Sequence, residues 1–219
     1  MRLERQRLAS KTNILFDLDG TLVDSSAAHA RAFEETLTSV APHANAAFNY
    51  DALKGRSTEE AFRKLGFDDP ELVTALTYEK QRRFREAVDS GGVALCAGAE
   101  ILLASLTQRG KRLFIVSGGS PRSTRAVLEK SGILHYFDAV VDSGMTPRSK
   151  PAPDPYLLCL RQHDLAPNAS LAVEDAENGL IAARAAGLDA ALVHNPELSS
   201  RYDPAFASLY ALLQCLCET

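Results

Sequence analysis

The sequence predicts an α/β protein with a doubly wound parallel sheet, interrupted by a block of helices. From Gly98 onward, short apolar runs alternate with amphipathic helical segments; such runs are typical of strands buried on both faces. A first run of this kind, residues 14–18, lies near the start of the chain, whereas residues 24–92 contain no strand candidate. Strands that alternate with helices favour a parallel sheet with its ligands at the carboxyl edge.

The helical block contains three helical patterns. Apolar residues at three–four–three spacing predict the first helix, and these residues are Ala30, Phe33, Leu37 and Val40. Ser57 and Glu60 fit a capping box at the start of a short second helix. Asp69 and Pro70 are typical of the cap and first turn of a longer third helix.

The rest of the chain supplies the other elements of the α/β unit. Further buried strands are predicted at residues 113–117, 137–141, 171–174 and 190–193. Helices capped at Ser120 and Asp154 lie between them. A last amphipathic helix is predicted to carry Phe206, Leu209, Leu213 and Leu216. We therefore expect a flexible tail over residues 1–12, an α/β core over 13–23 and 94–219, and an inserted helical domain over 24–93.

Composition limits the classes of function. The chain has 219 residues and a formal net charge of -4, which argues against general nucleic-acid binding because such proteins present a basic face. No apolar run approaches the ~18–20 residues of a membrane span. The four cysteines lack metal-binding spacing, so we expect free thiols in a cytoplasmic, reducing compartment. We expect the protein to be a monomer.

The most informative segment ends the first strand with Asp17, Asp19, Gly20 and Thr21. Because alternate strand residues point to the same side, Asp17 and Asp19 are expected to face one spot. Gly20 permits a sharp backbone turn. Two converging carboxylates repel each other, and a bound Mg²⁺ would offset that cost because it prefers oxygen ligands.

Three further polar features follow predicted strands. Ser117 and Gly118 offer a hydroxyl and backbone N–H groups suited to phosphate oxygens. Lys150 precedes Pro151, on a stiff loop that would hold a point charge for phosphate. Glu174 and Asp175 end another strand and, beside Asp17 and Asp19, would complete an oxygen cage for Mg²⁺.

Together these residues resemble, in order, all four motifs of the haloacid dehalogenase superfamily. The helical block is similar to the α-helical cap of its phosphoglycolate phosphatase and β-phosphoglucomutase-like branch. The resemblance implies a Rossmann-like core with an all-α cap, and a Mg²⁺-dependent phosphatase that acts on a small phosphorylated metabolite, a sugar phosphate or a phosphoglycolate-like acid.

The resemblance also implies roles for the motif residues. Asp17 would form an aspartyl-phosphate, and Asp19 would act as the general acid and then base. The carboxylates of Asp17 and Asp175, with the backbone carbonyl of Asp19, would bind Mg²⁺, and Glu174 would bind it directly or through water. Thr21, Ser117, Gly118 and Lys150 would hold the phosphoryl group, and Lys150 would keep Asp17 ionised.

The inserted block is expected to choose the substrate. Lys54, Gly55, Arg56 and Ser57 are similar to the cap loop of β-phosphoglucomutases, and His29 falls where those enzymes keep a histidine that couples substrate binding to closure. A β-phosphoglucomutase-type isomerase is therefore the alternative function. Against it, Thr58 stands where those enzymes carry an arginine for the distal phosphate.

Other classes of function fit the sequence less well. Asp19 suits protonation of a leaving oxygen, which a halide does not need, so dehalogenation is disfavoured. A phosphonatase would need a cap lysine as a Schiff base, and a binding module would be expected to lack part of the catalytic set.

Overall fold

The computed structural model of the chain describes residues 2–42, 48–53 and 56–217. Its strands are β1 Asn13–Phe16, β2 Val23–Asp24, β3 Ala94–Leu95, β4 Arg112–Val116, β5 Ala139–Val141, β6 Ser170–Glu174, β7 Asp189–Val193 and β8 Ala205–Phe206. Its main helices are α1 Arg2–Ala9, α2 Ser26–Val40, α3 Thr58–Lys64, α4 Pro70–Asp89, α5 Ala99–Gln108, α6 Pro121–Lys130, α7 Asp154–Gln162, α8 Glu177–Ala185 and α9 Leu209–Cys217.

Six strands form one parallel sheet in the order β5-β4-β1-β6-β7-β8. The first strand, β1, lies at the centre between β4 and β6. Its residues alternate between two cores: Ile14 and Phe16 pack beneath α1, α5, α6 and α9, whereas Leu15 packs beneath α7 and α8. Burial on both faces explains the continuous apolar run of this strand, and the predicted α/β fold is confirmed.

The chain enters and leaves the helical insertion through two adjacent short strands. β2 pairs antiparallel with β3, with Val23 opposite Leu95. The insertion has a core of its own, formed by buried residues that include Phe33, Leu37, Phe62 and Leu76. The predicted capping box is present: the Glu60 backbone N–H donates to Ser57 Oγ (3.2 Å), and the Ser57 N–H donates to the Glu60 carboxylate (3.0 Å).

The prediction of a flexible tail over residues 1–12 is wrong for residues 2–12, which the structure describes. Arg2–Ala9 form α1, whose Leu8 is 1% exposed within the core against α5 and α9. Lys11, 4% exposed, pairs with Asp189 on β7 (2.5 Å), and Arg7 pairs with the same carboxylate (2.6 Å). Leu8, Arg7 and Lys11 do not form a pattern long enough to predict a helix. The structure of this segment therefore depends on their contacts with distant parts of the fold.

Two local predictions also need correction. Phe206 lies in β8, where it pairs with Val193, and not in the last helix, which begins at Leu209. Val40, the last residue of α2, is 46% exposed, so the buried stripe of this helix ends one turn earlier, at Leu37. None of the helices in the described ranges combines the length and apolarity that a membrane crossing requires.

Candidate active site

The carboxyl ends of β1, β4 and β6 meet beneath the helical insertion and border a cavity of about 150 Å³. The core contributes Asp17, Asp19, Gly118, Lys150, Glu174 and Asp175 to its wall, and the insertion contributes His29, Tyr50, Arg56, Ser57 and Lys80. Parallel strands bring residues that are distant in sequence to this single edge. The structure therefore assembles most of the predicted site residues around one space.

Lys150 is the centre of a buried hydrogen-bond cluster. Its ammonium donates to Asp17 Oδ1 (2.7 Å), Glu174 Oε1 (2.7 Å) and the Val116 carbonyl (2.6 Å). Its three donors thus have three acceptors, which offsets the cost of burying the charge. Tyr156, which the sequence-based reasoning missed, donates to the same Glu174 oxygen and fixes that carboxylate from the far side.

The carboxylates form a group of like charge that one lysine does not balance. Burial raises the pKa of Asp17 well above its usual value, against the lowering effect of Lys150. Burial and the neighbouring Glu174 raise the pKa of Asp175 to about 7. Lys150 acts in the direction that the sequence analysis expects, because it lowers the pKa of Asp17, but burial and the neighbouring carboxylates act against it. A further cation would favour the charged form of Asp17.

The acidic cluster has the composition of a site for a hard cation. Oxygens of Asp17, Glu174 and Asp175 all lie within 4.8 Å of one another, and carboxylate oxygens are the ligands that Mg²⁺ prefers. Burial, together with the like charge of the neighbouring carboxylates, raises the pKa of Asp17 and of Asp175, and a bound cation would favour their charged forms. The residues present therefore fit a divalent metal.

Two glycines leave room for these carboxylates. Gly20 has a positive φ of 88°, and a Cβ there would lie 2.2 Å from Asp175 Oδ2. A Cβ at Gly179, in the first turn of α8, would lie 2.0 Å from Glu174 Cδ. Both distances are far below van der Waals contact, so the two acids can occupy their positions only against residues without a side chain.

Asp19 faces the insertion and not the acidic cluster. Its Oδ1 accepts a hydrogen bond from Ser25 Oγ (2.6 Å) and lies 3.4 Å from His29 Nε2. Burial acts to raise the pKa of Asp19, but the hydrogen bonds and charge of His29, with the Ser25 hydroxyl, hold it below its usual value. These contacts therefore favour the charged form of Asp19.

Lys80 on α4 continues this chain of polar contacts. Its ammonium lies 2.7 Å from His29 Nδ1 and 4.7 Å from the centre of the Phe33 ring. His29 stacks on Phe84 at 3.9 Å between ring centres. Burial lowers the pKa of Lys80 to about 7, although Asp19 acts to raise it. The contacts link both long helices of the insertion to Asp19.

Sequence-based reasoning missed Lys80, although a signal was present. Leu76, Lys80 and Phe84 are spaced by four residues, which places the lysine within the apolar stripe of α4. A cation in such a stripe is buried and needs a partner, and His29 is the partner.

Some predicted residues do not line the cavity. Thr21 is fully buried, and its hydroxyl lies 3.5 Å from Asp175 Oδ1. Ser117 is 2% exposed, and its Oγ accepts a hydrogen bond from the Gly119 N–H (2.9 Å). Both side chains thus order the loops beneath the cavity. Lys54 and Gly55 lie outside the described residues.

The fold and site together describe an α/β protein whose acidic pocket lies beneath a helical insertion. A family model described as haloacid dehalogenase-like hydrolase matches residues 14–193. The chain belongs to this family, which confirms the resemblance and the expectation of a hydrolase.

Individual relatives agree with this assignment. Fructose-1-phosphate phosphatase YqaB of Escherichia coli (strain K12) is 34% identical over 186 residues, which cover 81% of this chain and 93% of that protein. Protein CbbY of Cupriavidus necator is 33% identical over 190 residues, covering 80% of this chain and 75% of that protein. The crystal structure of CbbY from Rhodobacter sphaeroides in complex with phosphate superposes with a TM-score of 0.80 at 26% identity, covering 92% of this chain and 96% of that one.

Proposed function

We propose that the protein is a Mg²⁺-dependent phosphatase that hydrolyses a small phosphorylated metabolite through an aspartyl-phosphate. The observation that carries the proposal is the buried Lys150–Asp17 pair beside two further carboxylates, in a cavity closed by the insertion. The names of the relatives, a fructose-1-phosphate phosphatase among them, support a phosphate monoester as the substrate.

In the first step, Asp17 attacks phosphorus. A bond forms between its carboxylate oxygen and phosphorus, and the bond from phosphorus to the substrate oxygen breaks. Lys150 holds Asp17 by a 2.7 Å hydrogen bond, and its charge also suits a phosphoryl oxygen. The backbone at Gly118 and Gly119 lines the same cavity and offers N–H groups for the other oxygens.

Asp19 moves the proton in both steps. A phosphate dianion placed beside Asp19 raises its pKa by like-charge repulsion, so the carboxyl can carry the proton that the leaving oxygen takes. In the second step, water attacks phosphorus, the bond from phosphorus to the Asp17 oxygen breaks to release phosphate and the free Asp17 carboxylate, and Asp19 accepts the proton of that water. Ser25 and His29 hold the Asp19 carboxylate in place.

Asp17, Glu174 and Asp175 are the carboxylates that would hold Mg²⁺, with the backbone carbonyl of Asp19 as a further ligand. When bound, the metal supplies positive charge that neutralises the phosphate oxygens and keeps Asp17 ionised. Because Glu174 already accepts two hydrogen bonds at Oε1, from Lys150 and Tyr156, we assign it chiefly to fixing Lys150.

The insertion would exclude water and select the substrate. Arg56 and Ser57 present a cation and a hydroxyl to the cavity, and Phe33 and Tyr50 present aromatic surface. This mixture suits a short polar molecule, a sugar phosphate or a phosphoglycolate-like acid, over an apolar one.

The test is phosphate release from a panel of phosphate monoesters with and without Mg²⁺. We expect Mg²⁺-dependent release that Asp17→Asn abolishes, with an unchanged circular dichroism spectrum. Asp138→Asn, at a surface carboxylate paired with Arg112, is the matched control and should keep full activity. Undiminished hydrolysis by Asp17→Asn would exclude it as the nucleophile. Conversion of β-glucose 1-phosphate to glucose 6-phosphate, primed by a bisphosphate and with little free phosphate, would assign the mutase function instead.

A further inference from the structure

The loop between β7 and β8, residues 194–204, contacts the loop that carries Asp175. Asn195 Nδ2 donates to the Asp175 backbone carbonyl (2.9 Å), and Asn195 Oδ1 accepts from the Leu198 N–H (3.2 Å). Both ends of the Asn195 amide are therefore engaged, one with its own loop and one with Asp175.

A second contact joins the two loops two residues further on. Tyr202 Oη donates to Glu177 Oε1 (2.8 Å), and Arg201 donates to the same oxygen (2.5 Å). Two guanidinium groups lie near the centre of the Tyr202 ring, that of Arg184 at 5.0 Å and that of Arg201 at 5.7 Å. Residues 175–177 are thus held at both ends by the β7–β8 loop.

Asp175 is confined on its other side as well. A Cβ at Gly20 would overlap its carboxylate, and Thr21 Oγ1 lies 3.5 Å from its Oδ1. His194, the first residue of the β7–β8 loop, lies close enough to the Thr21 backbone for that backbone to raise the pKa of its side chain, against the lowering effect of burial. The β7–β8 loop therefore contacts both the segment that carries Asp175 and the segment against which its carboxylate packs.

We propose that Asn195 is a positioning residue for metal binding: with Tyr202, it fixes Asp175 so that its carboxylate is already placed for Mg²⁺. This inference rests on the proposed function, which assigns the metal to Asp17, Glu174 and Asp175. Loss of a partner that holds a metal ligand in place typically lowers metal affinity by about 10–100-fold. The cause is entropic, because a ligand already fixed loses less conformational freedom when the metal binds.

The experiment is a calorimetric titration of the full chain with Mg²⁺ alone. We expect the Kd for Mg²⁺ to rise about tenfold in Asn195→Ala and by a smaller factor in Tyr202→Phe. Asn168→Ala is the matched control, because that residue is exposed on the 3₁₀ turn before β6, and its Kd should equal that of the wild type. The rise in Tm that Mg²⁺ causes is a second readout, and it should shrink in the same order.

The titration results distinguish a failure of the positioning role from a failure of the phosphatase proposal. If the wild type binds Mg²⁺ and Asn195→Ala binds it equally well, or if Asn168→Ala weakens binding as much, the positioning role is overturned and the phosphatase proposal stands. If the wild type binds no Mg²⁺, both fail. Should Asn195→Ala not fold, Tyr202→Phe decides: an unchanged Kd overturns the role, and a raised Kd supports it.

Discussion

Gly179 offers the sharpest test of how the acidic cluster is packed. Alanine normally stabilises a helix relative to glycine, by about 1 kcal/mol in a helix interior. Here the added Cβ would lie 2.0 Å from Glu174 Cδ and within 2.2 Å of both Glu174 carboxylate oxygens. Glu174 is 1% exposed and borders the cavity, so its carboxylate must move away from the new Cβ by about 1 Å or more to reach ordinary contact.

That movement would break the hydrogen bonds that Glu174 accepts from Lys150 and Tyr156. Hydrogen bonds to charged groups contribute about 1.5–3 kcal/mol each. After the gain in helix propensity is subtracted, we expect Gly179→Ala to lose about 3 kcal/mol of unfolding free energy. For a chain of this size the Tm should fall by about 6–12 °C. Phosphatase activity should fall as well, because Lys150 loses one of its two carboxylate partners.

The assay is thermal unfolding followed by circular dichroism, together with urea titration. Glu174→Asp in the Gly179→Ala background is the matched rescue, because the shorter side chain withdraws the carboxylate from the new Cβ. The double variant should be more stable than the sum of the two single changes predicts. A Gly179→Ala protein with a Tm at or above that of the wild type and with full activity would refute the packing argument.

Two further predictions concern buried groups outside the acidic cluster. Burial lowers the pKa of Lys80 to about 7, from an ordinary 10.5. Between pH 7 and pH 10.5 the unfolded state therefore binds more protons than the folded state, so the unfolding free energy rises with pH. The destabilising effect of Lys80 is greatest below pH 7. We therefore expect the difference in unfolding free energy, wild type minus Lys80→Met, to increase between pH 7 and pH 9 in urea titrations. Both proteins contain His29 and Asp19, so the comparison isolates Lys80. A difference that stays constant with pH would show that Lys80 keeps its ordinary pKa. Leu8→Ala should cost about 2–5 kcal/mol, whereas Gln6→Ala, at an exposed position of α1, should leave the Tm unchanged; equal Tm values for the two variants would show that α1 does not contribute to the core.

The amino-acid sequence was enough to assign the α/β class and the acidic residues. Buried parallel strands must be apolar throughout and their carboxyl ends share one edge, so Asp17 and Glu174 could be placed together from their positions at strand ends. Lys150 lies in a loop, and only the family resemblance placed it beside them. Local capping rules likewise located the starts of α3 and α4, at Ser57 and Asp69, because capping depends on residues three positions apart.

The surroundings of those residues became known only from the packing of the folded chain. The His29–Lys80 contact joins α2 to α4, and the Asn195–Asp175 contact joins the β7–β8 loop to the end of β6. Each depends on how elements distant in sequence approach one another, which periodicity does not encode. The same holds for the pKa values: the motif supplies the carboxylates, but their burial and the distances between their charges set the protonation state, and both arise only when the chain has packed.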